Sequence, residues 1–176
     1  MSLTSLFFLA SCTLVPLTSM IKMASMDGDD IAAINPSEVR VRLSLTNPAE
    51  LETKDVKLVL KFDHHDDSKT EYQYLLEVID VNKIDSVNTW FTSQPKKHSY
   101  KFKFSPLSQL EFNKFQKSYF KQGKPKRYHW TVYYYLKQRP EDGEKLTIDM
   151  ELKLSEQEDF FYLLKKASIM TNNPSR

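Results

Sequence analysis

The stretch Glu38-Val39-Arg40-Val41-Arg42-Leu43-Ser44-Leu45 places Val39, Val41, Leu43 and Leu45 at alternate positions, with Arg40, Arg42 and Ser44 between them. Successive side chains of an extended backbone point to opposite faces, so this alternation predicts a strand with one face in a core and the other toward water. The same period returns down the chain. Val56, Leu58, Leu60 and Phe62 form the inner face of a second strand, Tyr72, Tyr74, Leu76 and Val78 that of a third, and Tyr100, Phe102 and Phe104 that of a fourth. Arg127 to Leu136 reads as a fifth, and Leu146, Ile148, Met150, Leu152 and Leu154 as a sixth. Asn47-Pro48, the polar run Asp63 to Lys69 and Pro140 to Gly143 supply the breaks. Asn82 to Lys97 is a longer connection carrying Ile84, Val87, Trp90 and Phe91 without a period. Loops of that length are either functional or packed down on the domain.

Two segments change to the helical period. Ser105-Pro106 joins a capping hydroxyl to a proline at the first helical position, where the missing N–H costs nothing. Leu107, Leu110, Phe115 and Tyr119 are expected to face the core from that helix, and Gly123 and Pro125 to end it. Ser155 and Glu158 have capping-box spacing ahead of Phe160, Leu163, Leu164 and Ala167, which predicts a C-terminal helix. Ser19 to Met26 allows at most a short helix. The expected fold class is α+β, with about six mainly antiparallel strands, in a sheet or a sandwich, and two amphipathic helices.

At 176 residues the chain suits one domain with a real core, and no repeat or low-complexity tract divides it. Only three glycines weaken any case for a phosphate-cradling loop, and a single cysteine, Cys12, excludes an internal disulfide framework and a cysteine-based zinc site. P-loop, dinucleotide and zinc-protease signatures are all missing. His64, His65, His98 and His129 stand in no spacing that suggests a nucleophilic triad. Asp63-His64-His65-Asp66-Asp67 has metal-ligand chemistry, but adjacent histidines at a strand end point to opposite sides, so a solvated hairpin turn is expected there. No catalytic residue, metal or cofactor is assigned, and the expected role is non-catalytic.

Residues 1–19 carry no charge, and Leu3, Leu6, Phe7, Phe8, Leu9 and Ala10 make an apolar stretch of secretory-signal length. It is shorter than the roughly 20 residues that span a bilayer. The stretch ends in Leu9-Ala10-Ser11-Cys12: an apolar residue, two small ones and the cysteine. In this it resembles the lipobox of bacterial lipoproteins. The resemblance implies a diacylglyceryl group on the Cys12 thiol, small residues at 10 and 11 that let a peptidase approach, and a greasy subsite for Leu9. It further implies that residues 1–11 are a signal peptide, residues 12–37 a lipidated tether, residues 38–170 the domain and residues 171–176 a flexible tail. No Lys or Arg precedes the apolar run, which a start upstream of Met1 would supply. The implied address is a bacterial envelope. Thr13 after the cysteine, instead of Asp, resembles the pattern of lipoproteins exported to the outer membrane, facing the periplasm.

The net charge of +2 hides a segregation. From Lys96 to Arg139 there are 12 Lys and Arg against the single acid Glu111, a local net of +11, while the rest of the chain has 13 basic and 22 acidic residues. Lys114, Lys117, Lys121, Lys124, Lys126 and Arg127 on the helix and its exit form the candidate anion- or partner-binding surface, suited to anionic lipid, peptidoglycan carboxylates or an acidic envelope protein. Glu71, Glu77, Asp149 and Glu151 on outward strand faces are positioned to neutralise strand lysines across the ladder. Tyr133 and Tyr135 share a face with His129 and have two readings, a row that stacks on sugars or bases and an edge strand covered by the helix. The leading expectation is a lipid-anchored envelope protein serving as a binding or accessory module with a basic face. The rival is a soluble nucleic-acid-binding domain using Lys114 to Arg127 on phosphates.

Overall fold

A computed structural model describes residues 16–170 apart from residues 89, 91–92, 123–124 and 142. In chain order the elements are α1 (Leu17–Ser25), α2 (Gly28–Ala33), β1 (Arg40–Thr46), β2 (Glu50–Asp63), β3 (Lys69–Ile84), β4 (Val87–Asn88), β5 (Ser93–Gln94), β6 (Lys97–Phe104), α3 (Pro106–Gln122), β7 (Arg127–Gln138), β8 (Lys145–Lys153) and β9 (Phe161–Met170). Seven strands form one sheet in the order β7-β2-β3-β6-β1-β8-β9, and β4 and β5 pair as a small separate ribbon. Every pairing is antiparallel.

The opening stretch forms β1, near the middle of the sheet. Val41 lies opposite Phe102 and Leu152, Leu43 opposite Tyr100 and Met150, and Leu45 opposite His98 and Ile148, so the alternate residues of three strands far apart in sequence share one buried face. α3 covers that face. Phe115 stacks on Phe62 with centroids 5.4 Å apart, and Phe112 lies 5.2 Å from Tyr74 and 5.6 Å from Phe104. Rings in these offset and tilted arrangements gain beyond the area they bury, by about 0.5–1.5 kcal/mol a pair. The helix begins as its sequence predicts: Ser108 N–H donates to Ser105 Oγ at 3.1 Å, a buried N-cap.

The coarse class, α+β with an antiparallel sheet, stands, but the sheet has seven strands instead of six. The seventh is β9, where a C-terminal helix was expected. Ser155 accepts from Gln157 N at 3.2 Å through Oγ and from Glu158 N at 3.3 Å through its carbonyl, which makes a turn that sends the chain back along β8. Two register shifts follow within the β8–β9 pair, between Ile148 and Met150 and between Met150 and Glu151. Each puts an extra residue into β9, so its inward positions fall out of the two-residue period. Leu163, Leu164 and Ala167 imitate a helical stripe for that reason.

Three further differences have local causes. Leu107 and Leu110 are exposed, because the buried stripe of α3 is set by Ser108, Phe112, Phe115 and Tyr119, on the opposite side of the helix. Val78 is exposed beside the bulge between Val78 and Asp80. The long connection is shortened by the extension of β3 to Ile84. The core also draws on residues ahead of Glu38. Asp27 caps α2 by accepting from Asp29 N and Asp30 N, Ile31 and Ala32 are buried, and Gln116 Nε2 donates to the Ile34 carbonyl at 2.6 Å.

A Cβ on Gly28 would fall 1.5 Å from the Tyr119 hydroxyl oxygen, so no side chain fits between α2 and α3. Gly28→Ala is expected to cost about 1–3 kcal/mol through forced separation or repacking, read as a lower denaturation midpoint in urea. Tyr74 offers the opposite case. Its buried hydroxyl has no hydrogen-bond partner among the described residues, and burial holds the phenol well above its ordinary pKa. Tyr74→Phe removes a desolvated group without removing a bond, so its midpoint is expected to equal or exceed that of the parent.

Candidate functional site

Of the six candidate cations, Lys114, Lys117, Lys126 and Arg127 are exposed, while Lys124 and the side chain of Lys121 lie outside the described residues. Leu107, Leu110, Lys114 and Lys117 recur at helical spacing and form one outward stripe of α3, with Leu107 64% and Leu110 59% exposed. Glu111 flanks it. Among the described residues Lys114, Lys117, Lys126 and Arg127 take part in no ion pair. The strand cations differ. Lys61 pairs with Glu71 at 2.8 Å, Arg42 with Glu151 at 3.2 Å and Lys97 with Asp149 at 2.5 Å, and Lys103 stands opposite Glu77. Hydrogen bonding to Lys61 lowers the Glu71 pKa, and the same bond raises that of Lys61. Acids on outward faces therefore neutralise Arg42, Lys61 and Lys97, and the stripe of α3 with the start of β7 carries positive charge without such partners among the described residues.

The N-terminal helix meets the sheet beside that charge. The Tyr128 hydroxyl donates to the carbonyl oxygens of Met23 and Met26, at the end of α1, and Tyr128 directly follows Lys126 and Arg127. Lys126 N–H donates to the Asp63 carbonyl at 2.8 Å, which fixes the entry into β7. Cys12 lies outside the described residues.

β7 is an edge strand. Trp130, Val132, Tyr134 and Leu136 turn to the core, and His129, Tyr133 and Tyr135 turn outward. The expectation that the helix covers this row is corrected: α3 packs on the opposite, inner face, and Tyr133 and Tyr135 are 47% and 65% exposed. Tyr133 lies opposite Lys57 across the ladder.

The histidine run forms a hairpin turn. His64 Nε2 is 2.8 Å from Thr70 Oγ1, His65 is exposed, and Asp66 accepts from Ser68 N at 3.0 Å. Among the described residues no group of three or more His, Cys, Asp or Glu is placed to share a metal ion. Trp90 is fully exposed, and Phe91 lies outside the described residues.

A trough rich in charged and hydroxyl groups was not singled out by sequence reasoning. On the outer sheet face, β3, β6, β1 and β8 line this trough, of about 520 Å³. One row of its floor reads Asp80, Lys101, Arg42, Glu151, and the next reads Asn82, Ser99, Ser44, Asp149. Ile84 and Pro95 wall one end and Tyr162 the other. Ser44 Oγ donates to Ser99 Oγ at 3.1 Å. The Arg42 guanidinium lies 3.8 Å from the Phe160 ring centroid while it pairs with Glu151, which holds it in place. Burial, and then the Glu151 and Asp149 carboxylates, raise the Tyr162 pKa and keep its hydroxyl protonated. Asp149, itself buried, takes Lys97 Nζ on one oxygen and Lys166 N–H on the other, at 2.7 Å. Lys166 has φ of 51°, a left-handed conformation at a bulge of β9, so Asp149 ties a strained backbone to the trough floor. The polar alternation of β1 and β6 was visible in the sequence, but its pairing with Asp80 and Glu151 depends on strand order.

Asp149→Ala would leave the half-buried Lys97 ammonium without a counter-charge and Lys166 N–H without an acceptor, a loss of about 3 kcal/mol. Asp149→Asn retains an acceptor, so its thermal midpoint is expected to fall between those of the parent and the alanine variant. No family model matches the chain, and neither a curated protein nor a solved structure matches it.

Proposed function

We propose that this protein is a non-catalytic binding module, held at a bacterial envelope membrane by a lipid on Cys12, with α3 and the start of β7 turned to anionic headgroups. The outward stripe of α3 carries this reading. Two exposed leucines share one helix surface with lysines that have no ion-pair partner among the described residues, the combination by which an interfacial helix seats apolar residues at the headgroup boundary and cations among phosphates. The junction of α1 with Tyr128 supports it, because the C-terminal end of the helix that follows the tether meets the domain beside Lys126 and Arg127. An acyl anchor and a basic surface acting together give stable attachment where one signal alone is marginal.

Two measurements test the parts separately. Expressed in bacteria, the protein is expected to partition into the detergent phase, with an N-terminal peptide mass that reports cleavage before Cys12 and acyl additions, and Cys12→Ala is expected to abolish both. An unmodified N-terminus on the parent would end the anchor reading. The Cys12→Ala protein is expected to sediment with phosphatidylglycerol vesicles at low salt and not with phosphatidylcholine. At about 1 kcal/mol per cation, reversal at Lys114, Lys117 and Lys126 should weaken this about a hundredfold or more. Equal sedimentation with both lipids would end the charge reading.

The exposure of Tyr133 and Tyr135 beside Lys57 favours a second reading, single-stranded nucleic-acid binding with phosphates on Lys114 to Arg127 and bases stacked on the tyrosines. It requires salt-dependent retention of the Cys12→Ala protein on single-stranded DNA, reduced in Tyr133→Ala and Tyr135→Ala.

A further inference from the structure

We infer that the trough across β3, β6, β1 and β8 is a binding site for a small hydroxylated carboxylate, such as an acidic sugar. The inference is independent of the membrane reading, since it concerns the outer sheet face and not α3.

The charge arrangement leads to it. Arg42 and Lys101 stand directly opposite each other on β1 and β6, where side chains begin about 5 Å apart and like charges repel. Arg42 is answered by Glu151 on its other side. Lys101 forms no ion pair among the described residues, although Asp80 is its cross-strand neighbour on β3, and Asp80 instead accepts from Asn82 Nδ2 at 2.7 Å. One cation is thus left beside a guanidinium that Phe160 and Glu151 hold still. An anion between the two relieves their repulsion and meets donors that need little reordering.

The surroundings restrict the anion. Asp80, Asp149 and Glu151 also line the trough. A phosphate, carrying close to two charges, is repelled by them more strongly than a carboxylate carrying one. The same three acids, with Asn82, Ser44 and Ser99, give the floor many hydrogen-bond acceptors, which suits ligand hydroxyls. Tyr162, kept protonated, adds a donor at one end. A volume of about 520 Å³ lies within the range of small-molecule sites, and Ile84 and Pro95 offer a short apolar wall for a ring face.

The test uses the full Cys12→Ala chain, uniformly ¹⁵N-labelled and titrated at low salt with galacturonate, galactose and inorganic phosphate, with amide shifts followed at Ser44, Ser99, Lys101 and Asn82. Galacturonate is expected to shift these amides at millimolar concentration, and galactose and phosphate to bind about tenfold or more weakly, the worth of one charge-assisted bond. Lys101→Glu should abolish the galacturonate response while leaving the dispersion of the spectrum intact, since Lys101 has no ion-pair partner to lose among the described residues. Lys101→Gln should weaken it without reversing it. The inference is overturned by no response to galacturonate, by equal responses to galactose and galacturonate, by tighter binding of phosphate, or by shifts confined to α3 and Lys126.

Discussion

Phe112 and Phe115 of α3 lie against Phe62, Tyr74 and Phe104, and the rest of the architecture depends on that aromatic contact. A seven-stranded sheet with one apolar face cannot stay exposed on that face, and burying each large aromatic is worth about 1.5–3 kcal/mol. Once Phe112, Phe115 and Tyr119 are turned inward, the helical period leaves Leu107, Leu110, Lys114 and Lys117 no choice of direction. The surface proposed to meet a membrane is therefore a consequence of core packing. α2 is fitted to the same helix by a glycine where no other residue fits, which brings the N-terminal segment to the basic end of the domain.

The opposite face of the sheet obeys a different constraint. Its residues stand in cross-strand rows, and three pairs of opposite charge meet there: Arg42 with Glu151, Lys97 with Asp149, Lys61 with Glu71. Of the basic middle segment, Lys97 is neutralised on this side, whereas Lys114, Lys117, Lys126 and Arg127 on α3 and its exit take part in no ion pair among the described residues. Lys101 has no such partner among the described residues, and in the trough around it charge, shape and hydrogen-bonding capacity converge on a ligand.

The alternating strands were legible because one-sided burial writes a period of two into the chain, and the cap of α3 was legible because Ser105 and Pro106 act locally. β9 was not. Its two bulges shift the inward positions so that Leu163, Leu164 and Ala167 have the spacing of a helix, and only the available edge of β8 decides between the two conformations. Leu107 and Leu110 were misassigned for a related reason: with aromatic and aliphatic residues on several sides of α3, the period alone did not say which apolar stripe would win the core.

The sequence by itself determined the strand faces, the segregation of charge, the hairpin at His64 and His65 and the resemblance around Cys12, because each rests on neighbours in the chain. Tertiary structure alone decided which charges meet. Arg42 stands beside Glu151 and Lys101 only because β1 lies between β8 and β6, and Lys101 beside Asp80 only because β3 is next to β6. Strand order is set by the long-range burial of a shared apolar face, and no local pattern records it.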